Sequence, residues 1–448
     1  MNNKKLEKKK FDYKWVIVAL SFMMVCISLG FCSSTNSLFL NAITKYLEVE
    51  RSVFSLNQSI RFIATAIVNL FFGVFIAKFG PKKLIMVGMS CLIGAMCVYG
   101  LAESVYVYYI GGMLLGVGFS FTGTTMVGYV VNIWCKENKG TIMGAILASN
   151  GLGGAVAMQI VTPIIESALA GYKNAYYLIA IILTVVAILL LIFFRSKPKN
   201  VELPKEKVVT RKKARGESWV GIDFKILLKK WWFYGLLVCV FFTGFVLQGV
   251  TGISAAHMKD VGINPAYVAT VLSVHSIALA GFKFLTGFIY DKFGLRVTST
   301  LCSVTAVVVM ILLALVSNST VGMVLAMTYG IFSSLALPLE TIMLPIYTGD
   351  LFGQKSYAKI LGIVVAVNVS GYATAAPSVN LCFDLTGSYN LALYICAGIM
   401  TLVIIGLHFV ITAAKKERNK VIAELATVQA ENESDINSEV VENCNNKA

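Results

Sequence analysis

The sequence predicts an all-α integral membrane protein with twelve transmembrane helices, arranged as two pseudo-symmetric halves of six helices each. Three observations predict this class: the composition, the recurrence of long apolar segments, and an internal repeat. Of the 448 residues, 57% are hydrophobic and 14% are charged, and the mean hydropathy is +0.77. Such a chain is too apolar for a water-soluble core and has too few charges for a soluble surface, so we expect it in a membrane.

Apolar segments of about 20 residues or more, long enough to cross a hydrocarbon core of about 30 Å, recur along the chain. In lipid the backbone polar groups need internal partners, and segments this long and uniform favour helices over the short alternating strands of a barrel. We expect the helices near residues 15–40, 54–77, 83–102, 105–131, 140–165, 174–194, 231–256, 266–290, 297–316, 321–347, 357–383 and 388–413.

Lysine and arginine are concentrated in alternate connections between these segments. If both termini are cytoplasmic, 32 of the 38 Lys and Arg residues lie on the cytoplasmic side and four lie in outer loops. The positive-inside rule therefore predicts a multi-pass protein of the cell membrane with cytoplasmic N and C termini. Basic loops beside anionic lipid headgroups account for the net charge of +15 without a nucleic-acid partner.

No residue pattern indicates a metal site, a cofactor or a catalytic centre. The ten cysteines have no metal-type spacing, and most lie in apolar segments, where they suit small buried residues. The glycine-rich run at residues 111–118 follows no strand and favours close helix packing over phosphate binding. We expect a protein that is not an enzyme and that acts as a monomer in the lipid bilayer.

Two short stretches repeat each other at an offset of 214 residues. The first is GVFIAKFGPKK, residues 73–83, and the second is GFIYDKFGLRV, residues 287–297. Beyond the fourth helix the matches continue at an offset of 218, where Asn150 matches Asn368. An ordered series of matches over five helices indicates two related halves.

The repeat divides the chain into five regions. The N-terminal half covers residues 15–194, the C-terminal half covers residues 231–413, and a basic linker, residues 195–230, joins them. Residues 1–14 form a short cytoplasmic tail. Residues 414–448 are acidic and rich in asparagine, and their composition predicts a disordered cytoplasmic tail.

Both repeated stretches resemble the cytoplasmic signature of the major facilitator superfamily, in which a glycine, an acid, a basic residue, a second glycine and a basic pair follow helices two and eight. The resemblance implies the major facilitator fold, with a binding site between the halves. The first copy departs from the pattern, because Ala77 stands where the second copy has an acid, so we expect a weakened or relocated latch there. The residues with an implied gating role are Gly73, Lys78, Gly80, Gly287, Asp291, Lys292, Gly294 and Arg296.

Two longer segments, residues 132–154 and 350–389, resemble the helix-five and helix-eleven regions of monocarboxylate transporters and bacterial oxalate:formate antiporters. This resemblance implies secondary transport of a small organic anion by alternating access, coupled to a proton or to exchange. It also implies that Lys283, four residues before Gly287, holds the substrate carboxylate, because this branch has a cation there. The second cation that the antiporters have in helix eleven is missing, which favours a monoanion over oxalate.

Three formally charged residues lie deep in the predicted helices: Arg61, Lys283 and Glu340. A buried charge is costly, so such residues usually face a cavity or a partner. Lys283 and Glu340 have similar predicted depths, and we expect them to form an ion pair that substrate and proton exchange can open, with Glu340 titrating. The alternative is a purely structural salt bridge between helices eight and ten.

Other polar residues are candidates by their positions in the repeat. We expect Arg61 either to attract anions at the outer mouth or to pair with an outer-loop acid, Glu48 or Glu50. Its counterpart at offset 214, His275, could carry a proton, although a lone helical histidine is more often a packing residue. Two asparagines at matched positions are expected to hydrogen-bond the substrate: Asn150 and Asn368.

Two alternatives stand beside small-anion transport. One is a major facilitator transporter of another solute, such as a larger organic acid, a steroid acid or an exported drug. The drug-antiporter signature of helix five is imperfect in SNGLGGAVAMQIVTP, residues 149–163, which argues mildly against drug export. The other alternative is a membrane receptor or scaffold without transport activity, which the charges inside the helices disfavour.

Overall fold

The structure is a computed structural model that describes residues 13–35, 39, 43–44, 46–49, 51–135, 137–166, 171–196 and 221–445. These residues form helices and short connections, and no strand occurs among them. Most of the predicted N-terminal tail and most of the predicted linker lie outside the described residues. The expected all-α class is therefore confirmed for the part of the chain that the structure describes.

The first half contains six crossings. Helix 1 begins as an α-helix and continues as a π-helical segment. Helix 2 is followed by one long helical stretch in which Gly80, with φ of 73°, separates the end of helix 2 from helix 3. The bounds are Lys14–Val25 and Cys26–Phe31 for helix 1, Arg51–Leu70 for helix 2, Phe72–Leu101 for the stretch that contains helix 3, Val105–Thr122 and Thr124–Trp134 for helix 4, Lys139–Glu166 for helix 5, and Gly171–Phe193 for helix 6.

The second half also contains six crossings, preceded by a short helix, Phe224–Leu227, at the end of the linker. Helix 10 is broken into segments, and the first break lies at Pro338, which cannot donate a backbone hydrogen bond within the helix. The bounds are Trp231–Asp260 for helix 7, Pro265–Phe293 for helix 8, Leu295–Ala314 for helix 9, Thr320–Ala336, Pro338–Thr341, Met343–Tyr347 and Thr348–Phe352 for helix 10, Tyr357–Thr386 for helix 11, and Asn390–Asn445 for helix 12.

Helix 12 is much longer than the predicted crossing. Its backbone remains helical to Asn445, whereas we expected a disordered tail from residue 414. The segment that follows the apolar part has many good helix formers, including glutamate, lysine and alanine, and it contains neither proline nor glycine. Local helix propensity thus extends the crossing helix beyond the length that a bilayer requires.

Eleven segments of the described residues are long and apolar enough to cross a membrane. Helix 2 is the twelfth crossing and is not among those eleven. Its sequence carries Asn57, Arg61 and Asn69, which lower its mean hydropathy. The most polar crossing is thus the one that brings a buried arginine into the bundle.

Glycine pairs that match in the repeat bring matching helices together. Gly30 of helix 1 lies against Gly153 of helix 5, where an added Cβ atom would come within 2.8 Å of backbone atoms. Their counterparts, Gly244 of helix 7 and Gly371 of helix 11, likewise lie against the backbone of the facing helix. Because small residues allow close helix approach in membranes, each half builds the same helix pair in the same way.

The two halves contact each other through two further helix pairs. Helix 5 packs along helix 8, and helix 2 packs along helix 11. We call the end of the bundle where Phe193 and Trp231 lie the linker end. At this end Gly140 faces Gly287 and Gly73 faces Lys359, so the halves meet backbone to backbone.

Replacing Gly153 by leucine tests whether this close approach supports the fold. A leucine there would overlap Cys26 of helix 1, so we expect destabilisation of about 1–3 kcal/mol and a lower melting temperature. Gly398→Leu is the matched control, because an added Cβ at Gly398 meets nothing within 4 Å. Equal melting temperatures of the two purified variants would contradict the conclusion that the close helix contact at Gly153 stabilises the fold.

Candidate functional site

Asp291 joins the two halves at the linker end. It lies near the end of helix 8, and its carboxylate accepts hydrogen bonds from the backbone of helix 5 in the other half. Oδ1 accepts from the Gly140 N–H at 3.1 Å, and Oδ2 accepts from the Thr141 N–H at 2.7 Å and from the Thr141 hydroxyl at 2.6 Å. A negative charge at a helix N-terminus is favourable, so Asp291 acts as an N-terminal cap supplied from the opposite half.

The first copy of the motif has the glycine contact but not the cap. Gly73 of helix 2 lies against the backbone and Cβ of Lys359, at the start of helix 11. The Ala77 side chain has no oxygen that could cap helix 11. Ser356, the residue before helix 11, makes no side-chain cap either. The Lys359 ammonium instead lies 3.9 Å from the centre of the Phe224 ring, in the linker. The contact of helix 8 with helix 5 therefore includes a helix cap, whereas the contact of helix 2 with helix 11 does not.

The other motif residues shape the turns or face their neighbours. Gly80 and Gly294 have φ of 73° and 84°, a conformation that favours glycine, so each permits the turn after its helix. Lys78 and Lys292 lie over the adjacent rings of Phe79 and Phe293. The Arg296 guanidinium donates a 2.6 Å hydrogen bond to the Thr412 hydroxyl of helix 12.

A second polar contact crosses between the halves beside Asp291, and the sequence did not reveal it. The Gln354 amide donates to the Asn132 carbonyl oxygen at 2.9 Å, and the Lys139 ammonium donates to the same oxygen at 3.0 Å. The Asn132 amide also donates to Gln354. A cavity of about 300 Å³ lies next to this contact.

Lys283 and Glu340 do not form the direct ion pair that we expected, because their charged atoms lie more than 4.0 Å apart. Lys283 is 3% exposed, and its ammonium points to the Leu147 carbonyl of helix 5, at 3.5 Å. Gly144 lets helix 5 approach so closely that an added Cβ would lie 2.5 Å from the Lys283 carbonyl oxygen. The lysine is thus turned toward the other half, although it still interacts electrostatically with Glu340.

Glu340 lies in the separate turn of helix 10 that follows Pro338. Its carboxylate interacts electrostatically with Lys283 of helix 8 and with Tyr372 of helix 11. The second oxygen, Oε2, is buried and has no hydrogen-bond partner among the described residues. The buried acid of helix 10 thus has hydrogen-bonding capacity that its described neighbours do not use.

Arg61 is also buried, with 7% of its surface exposed. Its guanidinium lies over the rings of Phe62 and Phe119, at 4.7 and 5.5 Å from the ring centres, and donates a long hydrogen bond of 3.5 Å to the Ser33 hydroxyl. No acidic side chain among the described residues lies within 4.0 Å of it. Of the two expected acidic partners, Glu48 does not pair with it and Glu50 lies outside the described residues.

His275 is held by helix 10. Its Nδ1 atom lies 3.1 Å from the Gly330 carbonyl oxygen and 3.0 Å from the hydroxyl oxygens of both Ser333 and Ser334. These contacts fasten helix 8 to helix 10. Such contacts suit a packing role for His275, the alternative to proton transfer.

The two matched asparagines contact the first helix of their own half. Asn150 of helix 5 accepts a 3.3 Å hydrogen bond from the Ser34 hydroxyl after helix 1. Asn368 of helix 11 is buried and donates to the Val240 carbonyl of helix 7 at 3.0 Å. Asn150 remains partly exposed, so of the two only Asn150 has surface available to a solute.

Two matched helical halves with buried, incompletely paired charges along their contact define a membrane transporter. The family model of the Major Facilitator Superfamily matches residues 19–258 and 236–437. The chain therefore belongs to the Major Facilitator Superfamily, which confirms the resemblance seen in its repeated motifs.

Relatives of known sequence and structure agree with this assignment. The chain is 25% identical to the transporter YcxA of Bacillus subtilis over 89% of this chain and 94% of YcxA. It is 21% identical to the sialic acid transporter NanX of Escherichia coli over 74% and 78%, and 23% identical to the oxalate:formate antiporter of Oxalobacter formigenes over 80% and 82%. The crystal structure of the E. coli fucose:proton symporter FucP superposes with a TM-score of 0.68 over 89% of this chain and 99% of that one, at 14% identity, which shows the shared fold.

Replacing Asp291 by alanine tests the cap. The variant loses three accepted hydrogen bonds at the N-terminus of helix 5, and losing a helix cap costs about 0.5–2 kcal/mol. We expect the linker end to open, so that a cysteine introduced at Met143, which lines the nearby cavity, reacts at least threefold faster with a polar thiol reagent. Labelling of the native cysteines, measured without the introduced cysteine, is subtracted as background. An unchanged labelling rate at Met143 would contradict the role of Asp291 in closing the linker end.

Replacing Ala77 by aspartate tests the missing cap in the opposite direction. The repeat places residue 77 opposite the start of helix 11, so an aspartate there can cap that helix as Asp291 caps helix 5. We expect slower labelling at Met143 and faster labelling of cysteines at the opposite mouth. Ala77→Leu is the control, because it adds volume without an acceptor, and equal behaviour of the two variants would contradict the prediction.

Proposed function

We propose that the protein is a secondary transporter of a small, monocarboxylate-like anion, which it moves by alternating access together with a proton or in exchange for another solute. One observation carries the proposal. Each half holds a buried cation, Arg61 or Lys283, that has no acidic side chain within 4.0 Å among the described residues. An unpaired cation at this depth is costly, and an anionic solute would supply the missing charge.

The chemistry of the two cations favours a carboxylate of low charge. The Arg61 guanidinium can hold a carboxylate through two parallel hydrogen bonds, whereas the Lys283 ammonium acts as a single strong charge. Lys359 of helix 11 is held near the linker end by Phe224, so it adds no charge at mid-depth. Relatives named for oxalate, formate and sialic acid support an anionic substrate.

Glu340 is the group that we assign to proton coupling. Its buried Oε2 atom has no hydrogen-bond partner among the described residues, so the carboxylate can accept a proton there without a rearrangement of the backbone. The nearby Lys283 charge links its ionisation to the occupancy of the anion site. His275, fastened to helix 10, takes no part in this step.

We further propose that the linker end faces the cytoplasm of the cell, where the positive-inside rule places the basic connections. With the linker-end contacts formed, the binding site would be open to the opposite side of the membrane. Breaking the Asp291 cap and the Asn132–Gln354 contact would allow the halves to rock and release solute at the linker end. The protein would do this as a monomer.

Counterflow of labelled formate, lactate and oxalate into proteoliposomes tests the proposal. We expect wild-type protein to exchange at least one monocarboxylate, and Lys283→Gln and Arg61→Gln to lose tenfold or more of that rate. Lys259→Gln is the matched control, because it removes an exposed lysine near the end of helix 7. Full activity in both buried-site variants, or no exchange of any carboxylate by wild type, would contradict anion transport through this site.

Replacing Glu340 by glutamine separates proton coupling from exchange. Without a titrating group, we expect the variant to exchange anions but to lose accumulation driven by an inward proton gradient. Because glutamine mimics the protonated acid, exchange should also become nearly independent of pH. Accumulation equal to wild type would exclude Glu340 as the coupling residue.

A further inference from the structure

The cavity beside the Asn132–Gln354 contact is lined by charged residues of both halves. Its volume of about 300 Å³ lies at the small end of the range for ligand pockets. Four of the side chains that line it are cationic and two are acidic, which leaves an excess of two positive charges. The cations are Lys139, Arg296, Lys415 and Arg418, and the acids are Asp291 and Asp350.

Both acids of the cavity are already engaged by groups of the protein. The Asp291 carboxylate accepts three hydrogen bonds at the start of helix 5. The Asp350 carboxylate forms an ion pair with Arg418, whose guanidinium also donates to the Asp350 backbone carbonyl at 3.1 Å. The two acids therefore leave the other cations of the cavity without a direct counter-charge.

Three cations of the cavity, Lys139, Arg296 and Lys415, have no acidic side chain within 4.0 Å among the described residues. The Lys139 ammonium donates to the Asn132 carbonyl oxygen at 3.0 Å. The Arg296 guanidinium donates to the Thr412 hydroxyl at 2.6 Å. Both of these acceptors are neutral, so the cavity keeps its positive charge.

Arg418 gives a second, independent indication of a missing partner. One side of its guanidinium is paired with Asp350, but its Nε atom is buried and has no hydrogen-bond partner among the described residues. A buried donor without an acceptor is unfavourable. A ligand with several acceptor oxygens, bound in the cavity, would supply one.

The continuation of helix 12 beyond its apolar part brings two of the cations to the cavity. Lys415 and Arg418 are three residues apart and so lie on one face of the helix, whereas the intervening Lys416 is exposed and does not line the cavity. An ion pair of 2.6 Å between Glu417 and Lys230 holds the same turn against the start of helix 7. The helical continuation thus completes one wall of the cavity.

We propose that this cavity binds a phosphate group, carried either by a small soluble compound or by the headgroup of an anionic phospholipid. A phosphate group has several acceptor oxygens and one or two negative charges, which match the unused donors and the charge excess. Arginine can hold phosphate through two parallel hydrogen bonds, and lysine binds it as a point charge.

The phosphate site is separate from the proposed carboxylate site and does not depend on which solute is transported. Lys283 lies eight residues before Asp291, which is about 12 Å along helix 8. Because Lys139 belongs to the first half and the other three cations belong to the second, the site is complete only while the halves meet at the linker end. A bound phosphate group would therefore favour the closed linker end.

Titration calorimetry of the purified full-length protein with inorganic phosphate, at constant ionic strength, tests the site. We expect saturable binding to wild type and about tenfold weaker binding to Lys415→Gln, which removes one charged donor. Lys416→Gln is the matched control, because it removes the same charge from the next residue, outside the cavity, and it should bind phosphate as wild type does.

Asp291→Ala tests whether the site needs the closed linker end. Removing this acid makes the cavity more positive, so charge alone would strengthen phosphate binding. Opening of the linker end would instead separate Lys139 from the cations of the second half and weaken binding. We expect weaker binding, and stronger binding would overturn the link between the site and the closed linker end.

The source of the phosphate group is distinguished in nanodiscs of phosphatidylcholine and of phosphatidylglycerol. A soluble ligand predicts that inorganic phosphate binds in both lipids, and that Lys415→Gln weakens this binding in both. A lipid headgroup predicts that phosphatidylglycerol raises the melting temperature of wild type and of Lys416→Gln but not of Lys415→Gln, and that it prevents phosphate binding. If Lys415→Gln and Lys416→Gln behave alike in phosphate binding and in both lipids, the proposal is overturned.

Discussion

The structure depends on one electrostatic constraint: a charge inside a membrane bundle must be compensated by another group, by water or by a bound solute. This chain keeps three such charges in its crossing helices and satisfies each one incompletely. Arg61 has two aromatic faces and a long hydrogen bond, Lys283 has a carbonyl, and Glu340 has one buried oxygen without a partner among the described residues. Incomplete compensation of this kind is unfavourable in a rigid scaffold but suits a site that must bind and release an ion.

The close helix contacts allow these charges to work in a molecule that changes shape. At several points across the interface the halves meet at glycines, where the facing helices approach closely. Such smooth contacts can separate and re-form with little repacking, whereas interdigitated side chains would resist. The directional interactions are confined to a few places, chiefly the Asp291 cap and the Asn132–Gln354 pair.

The fold could be predicted well from sequence, because long apolar segments and a repeated motif depend only on composition and order. The matched glycines also indicated which positions need close approach. The direction of each side chain could not be predicted. Lys283 and Glu340 were placed at similar depths, but spacing along two helices does not say that the lysine turns to helix 5 and forms no direct ion pair with the acid.

Some of the missed features had a signal in the sequence. Pro338, two residues before Glu340, indicated a break in helix 10 and thus a change in the facing of the acid. Tyr372 follows Gly371, a matched glycine, and so lies at a close helix contact. Nothing in its spacing predicts that its ring packs against Phe62 of the other half, with ring centres 5.7 Å apart. Contacts between residues more than 300 positions apart depend on how twelve helices assemble, which composition and local pattern do not encode.

The missing acid at Ala77 has a mechanical consequence. One contact between the halves, helix 5 against helix 8, has a capped helix terminus at the linker end, whereas helix 2 supplies no such cap to helix 11. Two contacts of unequal strength do not separate at the same time. The halves would separate first where helix 2 meets helix 11 and turn about the contact of helix 5 with helix 8, so that the first opening is a narrow slot between helices 2 and 11.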